Sequence, residues 1–236
     1  VNRAAKAGFW MLDYASTVTD ELCSALERRT AEPFADASAY RVRENVLRPV
    51  LLLPGVFETW QALRHVGDEA VRLGHPVHIV PSLGRNVAPI DESAAVLARY
   101  LDDHDLSSVI LVAHSKGGLV GKYLMTRFDD AGRVDGMIAI NTPFSGSQWG
   151  DYLPIRSVRA LAHDDLIVRY LGASAAVDDR IVSVYSTFDQ NVRAGSRLAG
   201  ARNVRLNVAG HARILRSKKL LRLLPEAFSW LPQRPR

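Results

Sequence analysis

Cysteine is nearly missing from this chain: Cys23 stands alone among 236 residues. One thiol excludes an internal disulfide framework and any cysteine-rich metal site, and it leaves the compartment open. Long apolar runs are missing too, since no stretch reaches the roughly 18–20 apolar residues that a membrane-spanning helix needs. No Lys/Arg block interleaved with aromatics is present, which argues against a nucleic-acid groove. Metal-ligand spacings such as His-Glu-x-x-His do not occur, so neither metal nor cofactor is expected. Internal repeats and low-complexity tracts are also lacking.

What remains has the make-up of one globular domain. Hydrophobic residues form 47% and charged residues 23% of the chain, enough to bury a sizeable core. The net charge of +5 and a pI of about 9.5 favour anionic partners only weakly. The first residue is Val1 rather than Met, which leaves open an upstream signal or anchor. Cytoplasmic, secreted and peripherally membrane-associated locations all stay open.

Six short β-branched runs read as strands: Val50–Leu53, Val77–Val80, Val109–Ala113, Gly136–Ile140, Ile181–Tyr185 and Val204–Val208. Their hydrophobicity is continuous rather than alternating, as in a sheet covered on both faces. Amphipathic segments with apolar residues every three or four positions lie between most of them, over Trp60–Leu73, Ile90–Leu101 and Leu119–Phe128. Alternation of strand and helix predicts a mostly parallel six-stranded sheet flanked by helices. Two regions break the rhythm. Residues 1–45 read as an N-terminal helical extension, with a helix over Ala4–Glu27, ahead of a main domain over 46–236. The connection 142–179 is long enough to form a small cap or lid, or to be a tolerated insertion.

The most informative segment is Val109-Ile-Leu-Val-Ala113-His114-Ser115-Lys116-Gly117-Gly118. An apolar strand ends in a serine flanked two positions away by small residues, and a helix-forming run follows at once. It resembles the nucleophile elbow G-x-S-x-G of the α/β-hydrolases, with Ala113 in place of the first glycine. Small neighbours are needed because the serine occupies a crowded, strained turn. The same turn would aim the Lys116 N–H, at a helix N-terminus, toward a reacting carbonyl.

That resemblance, closest to small bacterial lipases and esterases, covers about residues 46–225 and implies a minimal α/β-hydrolase fold. It also implies a second oxyanion donor after the first strand, where Leu53-Pro54-Gly55-Val56-Phe57 offers the Val56 N–H, with Phe57 in reserve. Pro54 stands where many relatives carry histidine. The implied chain order is Ser, Asp, His, each following a strand. Asp189 supplies the acid in Ser186-Thr-Phe-Asp189-Gln-Asn-Val192, with a turn-capping aspartate as the plainer reading; Asp178 and Asp179 would lie at the wrong end of the sheet. His211 ends a strand in Gly210-His211 and is the sole histidine after Asp189. The other six, His114 among them, read as structural or solvated. Asn141-Thr142-Pro143-Phe144-Ser145-Gly146-Ser147 resembles the T-P-H-x-G-S stretch of bacterial lipases, with Phe144 where histidine is common.

The resemblance thus implies a serine hydrolase with Ser115 as nucleophile, His211 as base and Asp189 as orienting acid, acting on an acyl ester or lipid. Thioester cleavage, phospholipid cleavage, acyl transfer and a noncatalytic hydrolase-like binding role remain alternatives, because a triad does not choose its acyl donor. Peripheral membrane contact is a further expectation, from Gly8-Phe-Trp-Met-Leu12 and the basic, leucine-rich segment Ile214–Trp230. Basic amphipathic helices can lie on anionic lipid, or simply pack their leucines on a sheet.

Overall fold

The computed structural model describes residues 47–233. The extension 1–45, with its expected helix and the Gly8–Leu12 segment, lies outside the described residues. Six strands form one sheet: β1 Val50–Leu53, β2 Val77–His78, β3 Val109–His114, β4 Val134–Ile140, β5 Ile181–Phe188 and β6 Arg202–Ala209, in the order β2-β1-β3-β4-β5-β6. Every neighbouring pair is parallel. All six expected strands are present, though β2 stops at His78.

The continuous apolar runs are explained by the two faces. Along the strands, Leu51, Leu53, Leu111, Ala113, Met137 and Ala139 point to one side, packed with residues of α2 (Ile90–Asp103), α3 (Lys116–Arg127) and α6 (Leu166–Ala173). Val50, Leu52, Ile110, Val112, Ile138, Ile140, Val182 and Val184 point to the other, packed with residues of α1 (Arg64–Arg72) and α7 (Lys218–Trp230). The period of two is present, but both phases are apolar because both faces are covered.

Three helices run close to expectation. The segment Trp60–Leu73 opens as a 3-10 turn over Trp60–Leu63 before becoming α1. After His211 the chain forms a 3-10 turn, Arg213–Arg216, and only then α7. In α7, Leu220, Leu224, Ala227 and Phe228 are buried against the sheet, while Lys218, Lys219 and Arg222 face outward. The leucines of this segment are therefore committed to the core. Among the described residues no helix is long and apolar enough to cross a membrane. The crossover from β5 to β6 carries no helix, only residues 189–201, and edge strand β6 is kept polar by exposed Arg202 and Arg205, which discourages further strand pairing.

The connection 142–179 contains α4 (Gln148–Tyr152), α5 (Arg156–Arg159) and α6. Its first part is pinned. Ser147 Oγ donates to the Asn191 carbonyl at 2.8 Å, Gln148 Nε2 to the Gln190 carbonyl at 3.0 Å, and Trp149 Nε1 to Asn191 Oδ1 at 3.2 Å. At its far end Asp178 forms a buried ion pair with Lys122 of α3 at 2.6 Å.

The junction between β3 and α3 is the tightest place in the molecule. A Cβ on Gly117 would collide with the Leu53 carbonyl oxygen, and one on Gly118 with the Thr142 side chain. Beside them the Lys116 side chain is fully buried. Its Nζ donates to the Asn86 carbonyl at 2.7 Å and to the Ala88 carbonyl. Burial pushes this amine from its ordinary 10.5 down to about 8.

Gly117→Ala should lose on the order of 3 kcal/mol, because its obstacle is backbone rather than a flexible side chain. Gly172→Ala, in α6 with nothing within 4 Å of the added carbon, should gain about 0.5–1 kcal/mol from helix propensity; denaturant unfolding measures both. For Lys116, the folded state releases its proton near pH 8 while the unfolded chain holds it to 10.5. Stability therefore rises across that window, by on the order of 3 kcal/mol. Below it the burial penalty is complete, and above it the penalty is gone. Lys116→Met should remove this rise, so wild type should gain on the variant as pH climbs.

Candidate active site

Ser115 follows the last residue of β3 and has φ 50° and ψ −122°, a left-handed conformation that costs a non-glycine residue roughly 1–3 kcal/mol. The turn is held by the Ser115 N–H on the Ile140 carbonyl at 2.9 Å and by the Gly118 N–H on the Ser115 carbonyl at 3.0 Å. Lys116 begins α3, so its N–H belongs to the helix's first turn, which lacks an intrahelical acceptor.

The loop leaving β1 arches over this serine. A Cβ at Gly55 would stand 3.1 Å from Ser115 Cβ, so the glycine allows the close approach. Phe57 adopts a positive φ of 63°. Val56, Phe57, Ser115 and His211 all line one cavity of about 310 Å³. The two expected amides, of Val56 and Lys116, thus belong to elements that meet at Ser115.

Asp189 and His211 come from the carboxyl ends of β5 and β6. Asp189 Oδ2 accepts the His211 Nδ1–H at 2.7 Å, and Oδ1 accepts the N–H groups of Asn191 and Val192 at 2.8 and 3.1 Å. The two readings of Asp189 do not compete: one oxygen caps the turn and the other takes the imidazole. Burial alone would raise this carboxyl, but the His211 ring and the two amides outweigh it and hold the group below its ordinary value. With Nδ1–H committed to Asp189, Nε2 of a neutral His211 ring carries the lone pair.

Several residues around the site were passed over in the sequence. His114, read as structural or solvated, is fully buried. Its Nδ1 lies 2.8 Å from Glu58 Oε2 and its Nε2 lies 3.1 Å from the His211 carbonyl. Asn141 has a positive φ of 47° and donates Nδ2–H to the same carbonyl at 2.8 Å. Asn86 donates to the Pro54 carbonyl at 2.7 Å, connecting the Lys116 anchor to the β1 loop. Only Glu58 and His114 carried a legible signal: charged or titratable groups three residues after Gly55 and next to the serine.

The cavity is otherwise lined by Pro143, Ser147, Trp149, Leu153, Val158, Leu161, Asn191, Val192, Ala212 and Glu58. A larger cavity of about 670 Å³ opens at the amino ends of the strands. There Asp135 is paired with Arg48 and His75 Nδ1 faces the Arg48 carbonyl, so those groups hold structure together. Among the described residues, no cluster of three or more His, Cys, Asp or Glu is placed to hold a metal.

No protein-family model and no curated protein matches this sequence. Solved structures do. The mature lipase BlEst2 of Bacillus licheniformis is similar at TM-score 0.62 and 15% identity, over 81% of this chain and 95% of that one. An extracellular α/β-hydrolase from a Paenibacillus species is similar at TM-score 0.56 and 15% identity, over 77% and 99%. An enol-lactonase from Burkholderia xenovorans is similar at TM-score 0.53 and 15% identity, over 80% and 94%. The all-parallel sheet, the helices on both its faces and these likenesses agree: the chain has the α/β-hydrolase fold.

Proposed function

We propose that this protein is a serine hydrolase of carboxylic esters, with Ser115 as nucleophile, His211 as general base and Asp189 as the group that orients it. The observation that carries the reading is the 2.7 Å contact between Asp189 and His211 Nδ1, with Ser115 and His211 lining the same cavity. His211 takes the Ser115 proton as Oγ attacks the ester carbonyl, and Asp189 stabilises the imidazolium that forms. The tetrahedral oxyanion rests on the N–H groups of Lys116 and Val56, donors fixed before reaction by the elbow and the β1 loop. His211 then protonates the departing alcohol. An acyl-enzyme remains, and water releases the acid by the same steps.

The cavity supports the choice of substrate. Val56, Phe57, Trp149, Leu153, Val158 and Leu161 give it an apolar wall, and among the described residues no Lys or Arg lines it. Neutral acyl esters suit that wall better than phospholipids, whose headgroups carry phosphate. Its 310 Å³ is at the small end of ligand sites and favours acyl chains of about four to eight carbons. The rim from Leu153 to Val158, in the 142–179 connection, is the part of a cap that would cover a bound chain.

A fluorophosphonate probe should label wild-type protein and fail to label Ser115→Ala. Labelling of the alanine variant, or none of wild type, would refute the nucleophile. Asp189→Asn should keep substrate binding but lower kcat by about 10³-fold or more, through the wrong imidazole tautomer. Across p-nitrophenyl esters, kcat/KM should peak at the intermediate chain lengths and fall at palmitate. A maximum on a thioester or phospholipid series would reassign the substrate while leaving the triad intact.

A further inference from the structure

Glu58 and His114 form a second histidine–carboxylate pair one layer behind the first. Neither belongs to the triad; His114 touches it directly, and Glu58 reaches it through His114. Glu58 Oε2 accepts the Gly55 N–H at 2.7 Å and faces His114 Nδ1 at 2.8 Å. His114 Nε2 faces the His211 carbonyl at 3.1 Å, and the two rings lie 4.8 Å apart, tilted by 47°. Both ring nitrogens of His114 therefore look at oxygen acceptors. A carbonyl can only accept, and the same holds for the ionised Glu58 carboxylate. A ring that donates to both neighbours carries a proton on each nitrogen.

We propose that Glu58 and His114 are positioning residues for ester hydrolysis, a buried carboxylate–imidazolium pair that sets the oxyanion loop and the base relative to Ser115. The proposal rests on the triad reading above. The Glu58 carboxylate holds the Pro54–Gly55 peptide by its N–H, the Glu58 N–H donates to the Gly55 carbonyl at 3.3 Å, and between them they set the direction of the adjoining Val56 N–H. His114 is held next to Ser115 by the chain itself, and its second N–H fixes the backbone of His211. One pair thus joins the loop after β1, the elbow after β3 and the loop after β6. The titratable groups facing the His114 ring are Glu58 and His211, with Asp189 behind His211. Burial alone would raise the Glu58 carboxyl, but the His114 ring beside it, the more distant His211 and the Gly55 N–H hold it below its ordinary value, in keeping with an ionised partner.

The pair also solves a problem of charge. A lone carboxylate lining the cavity would repel the developing oxyanion. Neutralised by an adjacent imidazolium it contributes direction without net charge. Buried charges persist only when paired and hydrogen-bonded in this way.

The test uses Glu58→Ala and Glu58→Gln with a p-nitrophenyl ester, rates being normalised to fluorophosphonate-titrated sites. Alanine leaves the Gly55 N–H and His114 Nδ1 without their partner, and kcat should fall by about 10- to 100-fold, with KM changed less than about threefold. With its amide oxygen in the place of Oε2, glutamine can still accept from Gly55 and from His114 Nδ1–H, so it should restore most of the lost kcat. In ¹⁵N-histidine NMR spectra at neutral pH, wild-type His114 should show two protonated ring nitrogens and Glu58→Gln only one. An alanine variant with undiminished kcat per site would overturn the positioning role. So would a loss that glutamine does not repair. A neutral His114 ring in wild type would overturn the ion pair. Should wild type neither label nor hydrolyse esters, the triad reading fails, whereas the NMR spectrum still decides the state of the pair.

Discussion

The left-handed turn at Ser115 constrains the rest of the molecule. A serine at φ 50° is costly, and only surrounding packing can hold it there. The hold comes from three directions: the Ile140 carbonyl beside it, the β1 terminus against Gly117, and Thr142 against Gly118. Each direction demands a small residue or a fixed strand end. The sheet order places β1 and β4 on either side of β3, so both strands can brace the elbow. Topology and strain are one arrangement here, since the parallel order brings the carboxyl ends of β1, β3, β4, β5 and β6 to a common rim.

Part of this was legible in the sequence because it depends on short-range pattern. Val109–Ala113 followed by His-Ser-Lys-Gly marks strand, turn and helix within ten residues, and Gly210-His211 marks the end of β6. Continuous apolar runs announced a sheet buried on both faces. What stayed hidden depends on contacts across large sequence separation. Nothing near His114 in the chain reveals that Glu58 will face one nitrogen and the carbonyl of residue 211 the other. The helix-free crossover of residues 189–201 was equally silent, because a loop that carries a parallel connection has no periodicity of its own. The β2 strand shrank to Val77–His78 because an edge strand pairs on one side only, so its apolar residues can be satisfied without a full ladder. In α7 the composition allowed two environments, and packing onto Val182 and Val184 took the leucines.

A run of buried polar contacts gathers at this rim. Lys116, Asn86, Glu58, His114, Asn141, Asp189 and His211 make contacts around Ser115 that tie several loops together. Such a network is expensive if one member is missing and stiff if all are present. The Lys116 side chain shows the cost openly: its amine is buried on backbone carbonyls, with no carboxylate in contact among the described residues, and its proton affinity falls accordingly. A stability optimum would replace it with an apolar residue. It holds the Asn86 segment, which in turn grips the Pro54 carbonyl at the start of the loop after β1.

The same logic assigns different parts to two similar pairs. Asp189–His211 and Glu58–His114 have almost equal separations, 2.7 and 2.8 Å, yet the second nitrogens of the two rings meet different surroundings. His211 Nδ1 is spent on the carboxylate, and its Nε2 belongs to the serine's cavity, where a lone pair can take a proton. His114 Nε2 is spent on a carbonyl, where there is no proton to take and a hydrogen bond only to give. Distance to a carboxylate does not make a histidine a base. What the other nitrogen meets decides whether the ring moves protons or holds a position.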